Sequence, residues 1–176
     1  MADGLPPAGS AAPFGPAALR DPAVLLSTWG GVGFLPGMPG TWGSLVAALI
    51  WWLLLADQHW AWTLALAVLV AVGGWFAVRA NQRRYRVGDA GAIVVDEVAG
   101  QWLALIAMPA TLPALLVGVV AFRLFDIAKP WPVSWADRRH DALGVMLDDL
   151  VAGVLALTVG QVAVWLLPLQ LGGGSL

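Results

Sequence analysis

Apolar residues along this chain come in long runs broken by short polar stretches. Ser44 to Ala56 is one run, closed by the polar turn Asp57-Gln58-His59. Trp60 to Val78 is a second, nineteen residues long, enough for a helix to cross about 30 Å of hydrocarbon. A third covers Ala92 to Met108 and is followed by a turn at Pro109 to Pro113; a fourth runs from Ala114 to Ile127 and a fifth from Leu143 to Leu167. The pattern predicts an all-α, multihelical integral membrane protein with about five membrane-embedded segments. The first segment, at thirteen residues, is short for a span and is open to a re-entrant reading. Residues 1–23, rich in Ala, Pro and Gly without periodicity, read as a disordered tail. They lack the basic start and continuous apolar core of a signal peptide. Residues 24–168 form the membrane domain, and 169–176 a flexible end.

Composition sharpens the class. Hydrophobic residues make up 60% of the 176 and charged ones 11%, against about 45–50% and about 25% in soluble domains. The net charge of −2 argues against nucleic acid as a partner. With no cysteine, disulfides, thiolate metal sites and cysteine-phosphatase chemistry are excluded together. Lys and Arg set the orientation. Four arginines fall within Arg79–Arg86 and three basic residues within Lys129–Arg139, whereas the turns at Asp57–His59 and Pro109–Pro113 have none. Basic loops stay cytoplasmic. The start of the third segment, the end of the fourth and the start of the fifth are therefore expected at the cytoplasmic side.

Those three places carry the acids that hydropathy alone would forbid. Asp96 and Glu97, the only glutamate, open the third segment; Asp126 closes the fourth; Asp148 and Asp149 lie two turns into the fifth. Ionised groups at bilayer depth are costly and mark function by default. Clustered carboxylates repel unless a cation joins them, and hard divalent cations such as Mg²⁺ take carboxylate oxygens. Helix-end acids that snorkel to water are the bland alternative. Arg123 and Asp126, three apart, share a helix face. With Lys129, the only lysine, Arg123 suits a phosphate, or else serves as a local ion pair beside a topology signal. The glycine-rich stretch Trp29–Gly43 cannot be one continuous helix or strand. Gly40 can bring backbone N–H groups to a phosphate, and Thr41 and Ser44 can add hydroxyls, or the stretch is a plain entry loop. Asp89 either caps the third segment or joins the metal ligands. Asp137, Arg138, Arg139 and Asp141 read as a solvated loop.

Four stretches, GFLPGMPGTWGSL at Gly33–Leu45, DAGAIVVDEVAGQW at Asp89–Trp102, FRLFDIAKPWPV at Phe122–Val133 and LGVMLDDLVAG at Leu143–Gly153, together resemble the phosphatidylglycerophosphatase A family. They run in family order, with small departures at Ala92 and Ala128. The resemblance implies a membrane enzyme of the bacterial inner membrane, its site facing the cytoplasm, that uses Mg²⁺ to hydrolyse the phosphomonoester of phosphatidylglycerophosphate. It assigns the acidic roles to Asp89, Asp96, Glu97, Asp126, Asp148 and Asp149, with Arg123 and Lys129 as basic partners. The expected chemistry is metal-assisted attack of water on phosphorus. Two other readings use the same acids: a cation- or proton-binding transport protein, and a phosphatase for another lipid phosphate such as phosphatidic acid. Oligomeric state is not legible.

Overall fold

The computed structural model describes residues 14–88, 90–139 and 141–167, and among these all regular structure is helical. The helices are α1 (Pro22–Ser27), α2 (Pro39–Ile50, continued by a π-helical turn at Trp51–Leu55), α3 (Trp60–Tyr85), α4 (Val95–Ala104), α5 (Leu112–Ala128), α6 (Val133–Asp137) and α7 (Ala142–Leu166). Asp89, the first thirteen residues and the expected flexible end at 169–176 lie outside the described residues.

Two helices, α3 with 26 residues and α7 with 25, are long and apolar enough to cross a membrane by length and composition. The other three expected segments are shorter. α4 has only ten residues, about 15 Å of helix, and its run unwinds through Leu105 and Ile106 to Ala107, which sits at φ 55°. α3 is longer than its apolar run because it continues through the arginines. Arg83 and Arg84 occupy its last turn, where cations oppose the negative end of the helix dipole. Helix α2 begins inside the glycine-rich stretch because Pro39 sits in its first turn, where a missing N–H costs nothing.

Residues 14–23 are packed, in contrast to the expected tail over 1–23. Phe14 stacks against Phe34 and Tyr85 at ring-centroid distances of 5.9 and 5.7 Å. Asp21 caps α1, accepting from the Ala23 N–H at 3.0 Å, and also accepts from the Tyr85 hydroxyl at 2.8 Å and from Arg84. An aromatic plug and a capped helix thus pin the start of the fold to the basic end of α3. Asp137, Arg138, Arg139 and Asp141 are all exposed, as expected of a solvated loop; Asp137 ends α6, and Asp141 caps α7 through the Gly144 N–H.

Short α4 is the hub and packs on α2, α3, α5 and above all α7. The α4–α7 crossing is made by glycines. A Cβ on Gly100 would come 2.5 Å from the Asp149 carbonyl oxygen and 2.6 Å from the Phe122 ring; one on Gly153 would meet the Gly100 carbonyl at 2.5 Å. Small residues let backbones approach this closely. Gly33 and Gly43 likewise leave too little space for a methyl group, against the backbone of Ala92 and the side chain of Val94, and Gly74 packs closely on Val95. The α3–α4 and α6–α7 connections lie at one end: Arg79 and Arg83 border the same cleft as Asp141 and Leu143. At the other end Gln58 and His59 border the cavity that also contacts Ala107 and Pro109.

Candidate active site

The α4–α7 crossing brings its acids together. Asp96 and Glu97 stand in the first turn of α4, where the positive end of the helix dipole favours anions, and the Glu97 N–H donates to Asp96 Oδ1 at 3.0 Å. Asp149 lies directly over Gly100. The result is a trio, Asp96, Glu97 and Asp149, that offers one oxygen each within 4.8 Å of one another. Asp96 is 8% exposed and Asp149 4%, so water screens their mutual repulsion poorly. A second oxygen of Glu97, Oε2, is buried without a protein partner.

Helix α5 adds the basic side. Arg123 pairs with Asp126 one turn on, and it reaches across to α2, where Nη2 donates to the Thr41 hydroxyl at 3.2 Å and Nη1 approaches the Ser44 hydroxyl at 3.5 Å. Ser44 in turn donates to the Gly40 carbonyl at 2.9 Å. Gly40 brings the α2 backbone against Glu97. A Cβ there would overlap Glu97 Oε1 and stand 3.3 Å from Arg123 Nη1, so a side chain at this position would displace the Glu97 carboxylate. Asp126 also lies within electrostatic reach of Asp149.

Asp148 stands apart from the trio. One of its oxygens accepts from Lys129 Nζ at 2.8 Å, and the other is buried without a partner. Lys129 is the C-cap of α5 in the left-handed region, φ 44°, a conformation that a residue with a Cβ adopts under constraint. Its ammonium also pairs with Asp137 of α6. Partial burial alone would lower its pKa, but the two carboxylates outweigh it and hold it above the usual lysine range.

The structure therefore gathers Gly40, Thr41, Ser44, Asp96, Glu97, Arg123, Asp126 and Asp149 around one point and places Lys129 with Asp148 beside it. The sequence reading did not single out Asp137 as the second partner of Lys129, and it missed Gln101. That side chain is fully buried, with both amide atoms unpartnered. Its i+4 spacing from Glu97 was the available signal.

Three acids close enough to share a cation, with a guanidinium beside them, mark the α4–α7 crossing of this helical protein as its candidate site. The comparisons give the family. Residues 25–164 match the family described as Phosphatidylglycerophosphatase A. The phosphatidylglycerophosphatase A of Escherichia coli K12 is 36% identical over 140 residues, 78% of this chain and 81% of that protein. That of Haemophilus influenzae is 32% identical over 152 residues, 85% of this chain and 93% of that protein. A Bacteroides thetaiotaomicron protein named "Putative phosphatidylinositol-3-phosphatase" is 38% identical over 152 residues, 82% of this chain and 94% of that protein. No solved structure matches. The chain belongs to the phosphatidylglycerophosphatase A family and is a phosphatase.

Proposed function

We propose that the protein is a Mg²⁺-dependent lipid phosphatase that converts phosphatidylglycerophosphate to phosphatidylglycerol and phosphate, in phospholipid biosynthesis at the cytoplasmic face of a bacterial inner membrane. The observation that carries this reading is the trio of carboxylates from α4 and α7 within 4.8 Å, in a family whose relatives from Escherichia coli and Haemophilus influenzae bear that enzyme's name.

The donor set suits a hard cation. It is all oxygen, Asp96 and Asp149 are buried and Glu97 half-buried, and it leaves Glu97 Oε2 and Asp148 Oδ1 without protein partners, which carboxylates tolerate poorly unless a cation offsets them. Asp96, Glu97 and Asp149 would hold the ion, with Asp148 adjacent on α7. When bound, the ion supplies Lewis acidity toward the phosphate and the attacking water. Arg123, oriented by Thr41 and Asp126, binds phosphate oxygens and takes up their developing charge. Lys129 adds a second cation on the α7 side. Gly40 brings backbone against the carboxylates and excludes water there, and the hydroxyls of Thr41 and Ser44 steady the guanidinium.

A lipid substrate suits the surroundings. Leu53, Leu54, Leu69, Phe76, Leu116 and Leu124 are all more than half exposed, as expected of side chains that face acyl chains. In this reading α2, α4 and α5 are embedded beside the two long helices, and the basic end faces the cytoplasm. A second reading, a different lipid phosphomonoester, is favoured by the name of the Bacteroides relative. The test is phosphate release by the purified protein from phosphatidylglycerophosphate, phosphatidic acid and phosphatidylinositol 3-phosphate, each with Mg²⁺ and with a chelator. The expected result is Mg²⁺-dependent release with clear preference for phosphatidylglycerophosphate. Preference for either of the others moves the assignment to that lipid, and release undiminished by the chelator refutes the metal role.

A further inference from the structure

Gln101 is the one fully buried side chain in the bundle whose carboxamide has neither its oxygen nor its nitrogen paired, among the described residues. Buried amides are ordinarily satisfied, and an orphan in a closely packed helix interface calls for an explanation. Packing does not supply one, because an apolar side chain of the same length would fill the space without stranding polar atoms. Asn81, the other fully buried amide, is half satisfied: its nitrogen donates to Ser27 Oγ at 2.7 Å and to the Ala23 carbonyl at 3.2 Å, and only its oxygen is without a partner.

The position of Gln101 supplies the explanation. It lies four residues after Glu97 on α4, on the same face and one turn further into the bundle. Glu97 Oε2 and Arg123 Nε are also buried and unpartnered, and Glu97 and Arg123 flank the same point beside Gly40. The set is complementary, with two N–H donors on Arg123 and Gln101 and two acceptor oxygens on Glu97 and Gln101. Buried water joins polar groups of this kind, typically through about three hydrogen bonds each.

We propose that Gln101 is a positioning residue for the carboxylate trio: through ordered water its carboxamide fixes the orientation of Glu97 toward the cation. The inference rests on the metal reading given above. Residues that orient ligands in this way typically change metal affinity about 10–100-fold when lost. The test is the rise in melting temperature that Mg²⁺ produces in the purified protein, titrated for wild type, Gln101→Met and Asn81→Leu, alongside phosphate release. Gln101→Met keeps length and removes both polar atoms. It is expected to melt at or above the wild-type temperature without metal, to need about 10–100-fold more Mg²⁺ for half of the rise, and to lose kcat more than it raises KM for lipid. Asn81→Leu, which removes the two hydrogen bonds that the amide nitrogen donates to Ser27 and Ala23, is expected to melt lower without metal and to respond to Mg²⁺ as wild type does. A Gln101→Met protein with the wild-type Mg²⁺ titration overturns the proposal and leaves the metal reading intact. A wild type that Mg²⁺ does not stabilise overturns both.

Discussion

Asp96, Glu97 and Asp149 meet across the close α4–α7 crossing, where the burial of Asp96 and Asp149 lets their negative charges repel at close range. Replacing either by asparagine keeps the shape and removes one charge. Asp96→Asn and Asp149→Asn are therefore each expected to melt no lower than wild type in metal-free buffer while losing phosphate release and most of the stabilisation by Mg²⁺. Wild-type turnover in either variant would remove the trio from the reaction. Residues of this kind were legible in the sequence because a carboxylate inside an apolar run contradicts its surroundings. Lys129 and Arg123 stood out for the same reason. Gln101 did not, since a neutral amide hardly disturbs hydropathy; its spacing of four from Glu97 is a mark that hydropathy does not weigh, and its lack of partners shows only once the neighbours are known.

At the scale of elements, the long helices α3 and α7 were plain from their apolar runs. The boundaries of the shorter ones were set by features that hydropathy does not weigh. Asp21-Pro22, a capping acid before a first-turn proline, starts α1 within a composition that otherwise reads as tail. Ala107 at positive φ follows the end of α4 with apolar residues still to come. Asp21 gives a pH test. Burial works to raise its pKa, but hydrogen bonds from Tyr85, the Ala23 N–H and Arg84 outweigh that and hold it below the usual aspartate range. A carboxylate with a lowered folded-state pKa contributes stability above its unfolded value, about 3.9, and loses it as the pH falls through the lowered one. Asp21→Asn is expected to lower the melting temperature at pH 7 and to match wild type at the acid end of that window. An equal deficit at both pH values would locate the effect in packing. The α4–α7 crossing gives another. Gly100→Ala would press a methyl group into the Asp149 backbone and the Phe122 ring. Overpacking of this kind typically costs about 1–3 kcal/mol, so melting temperature and activity should fall together. Gly15→Ala, which meets nothing within 4 Å, should be neutral, and a Gly100→Ala protein as stable as Gly15→Ala would show that the crossing can relax.

Across the whole molecule, the candidate site lies toward one end among the described residues. The basic stretches meet there, and the opposite end presents Gln58, His59 and the turn after α4. Because the chain contains no cysteine, single substitutions can report which side each end occupies. Gln58→Cys and Arg138→Cys, both at exposed positions, are expected to react with an impermeant maleimide from outside and only after permeabilisation, respectively, in intact spheroplasts. The reverse labelling would turn the site away from the cytoplasm. The sequence conveyed this polarity through its arginines but not which helices touch, because contact here depends on missing side chains rather than on present ones. At Gly100 and Gly153 peptide planes rest on peptide planes, with no rotamer between them to adjust. In the membrane reading proposed above, a bilayer that thickens or thins can tilt the long helices, yet this pivot leaves the gap between Glu97 and Asp149 nothing to slide on, so the affinity for any cation held there should be indifferent to the surrounding lipid.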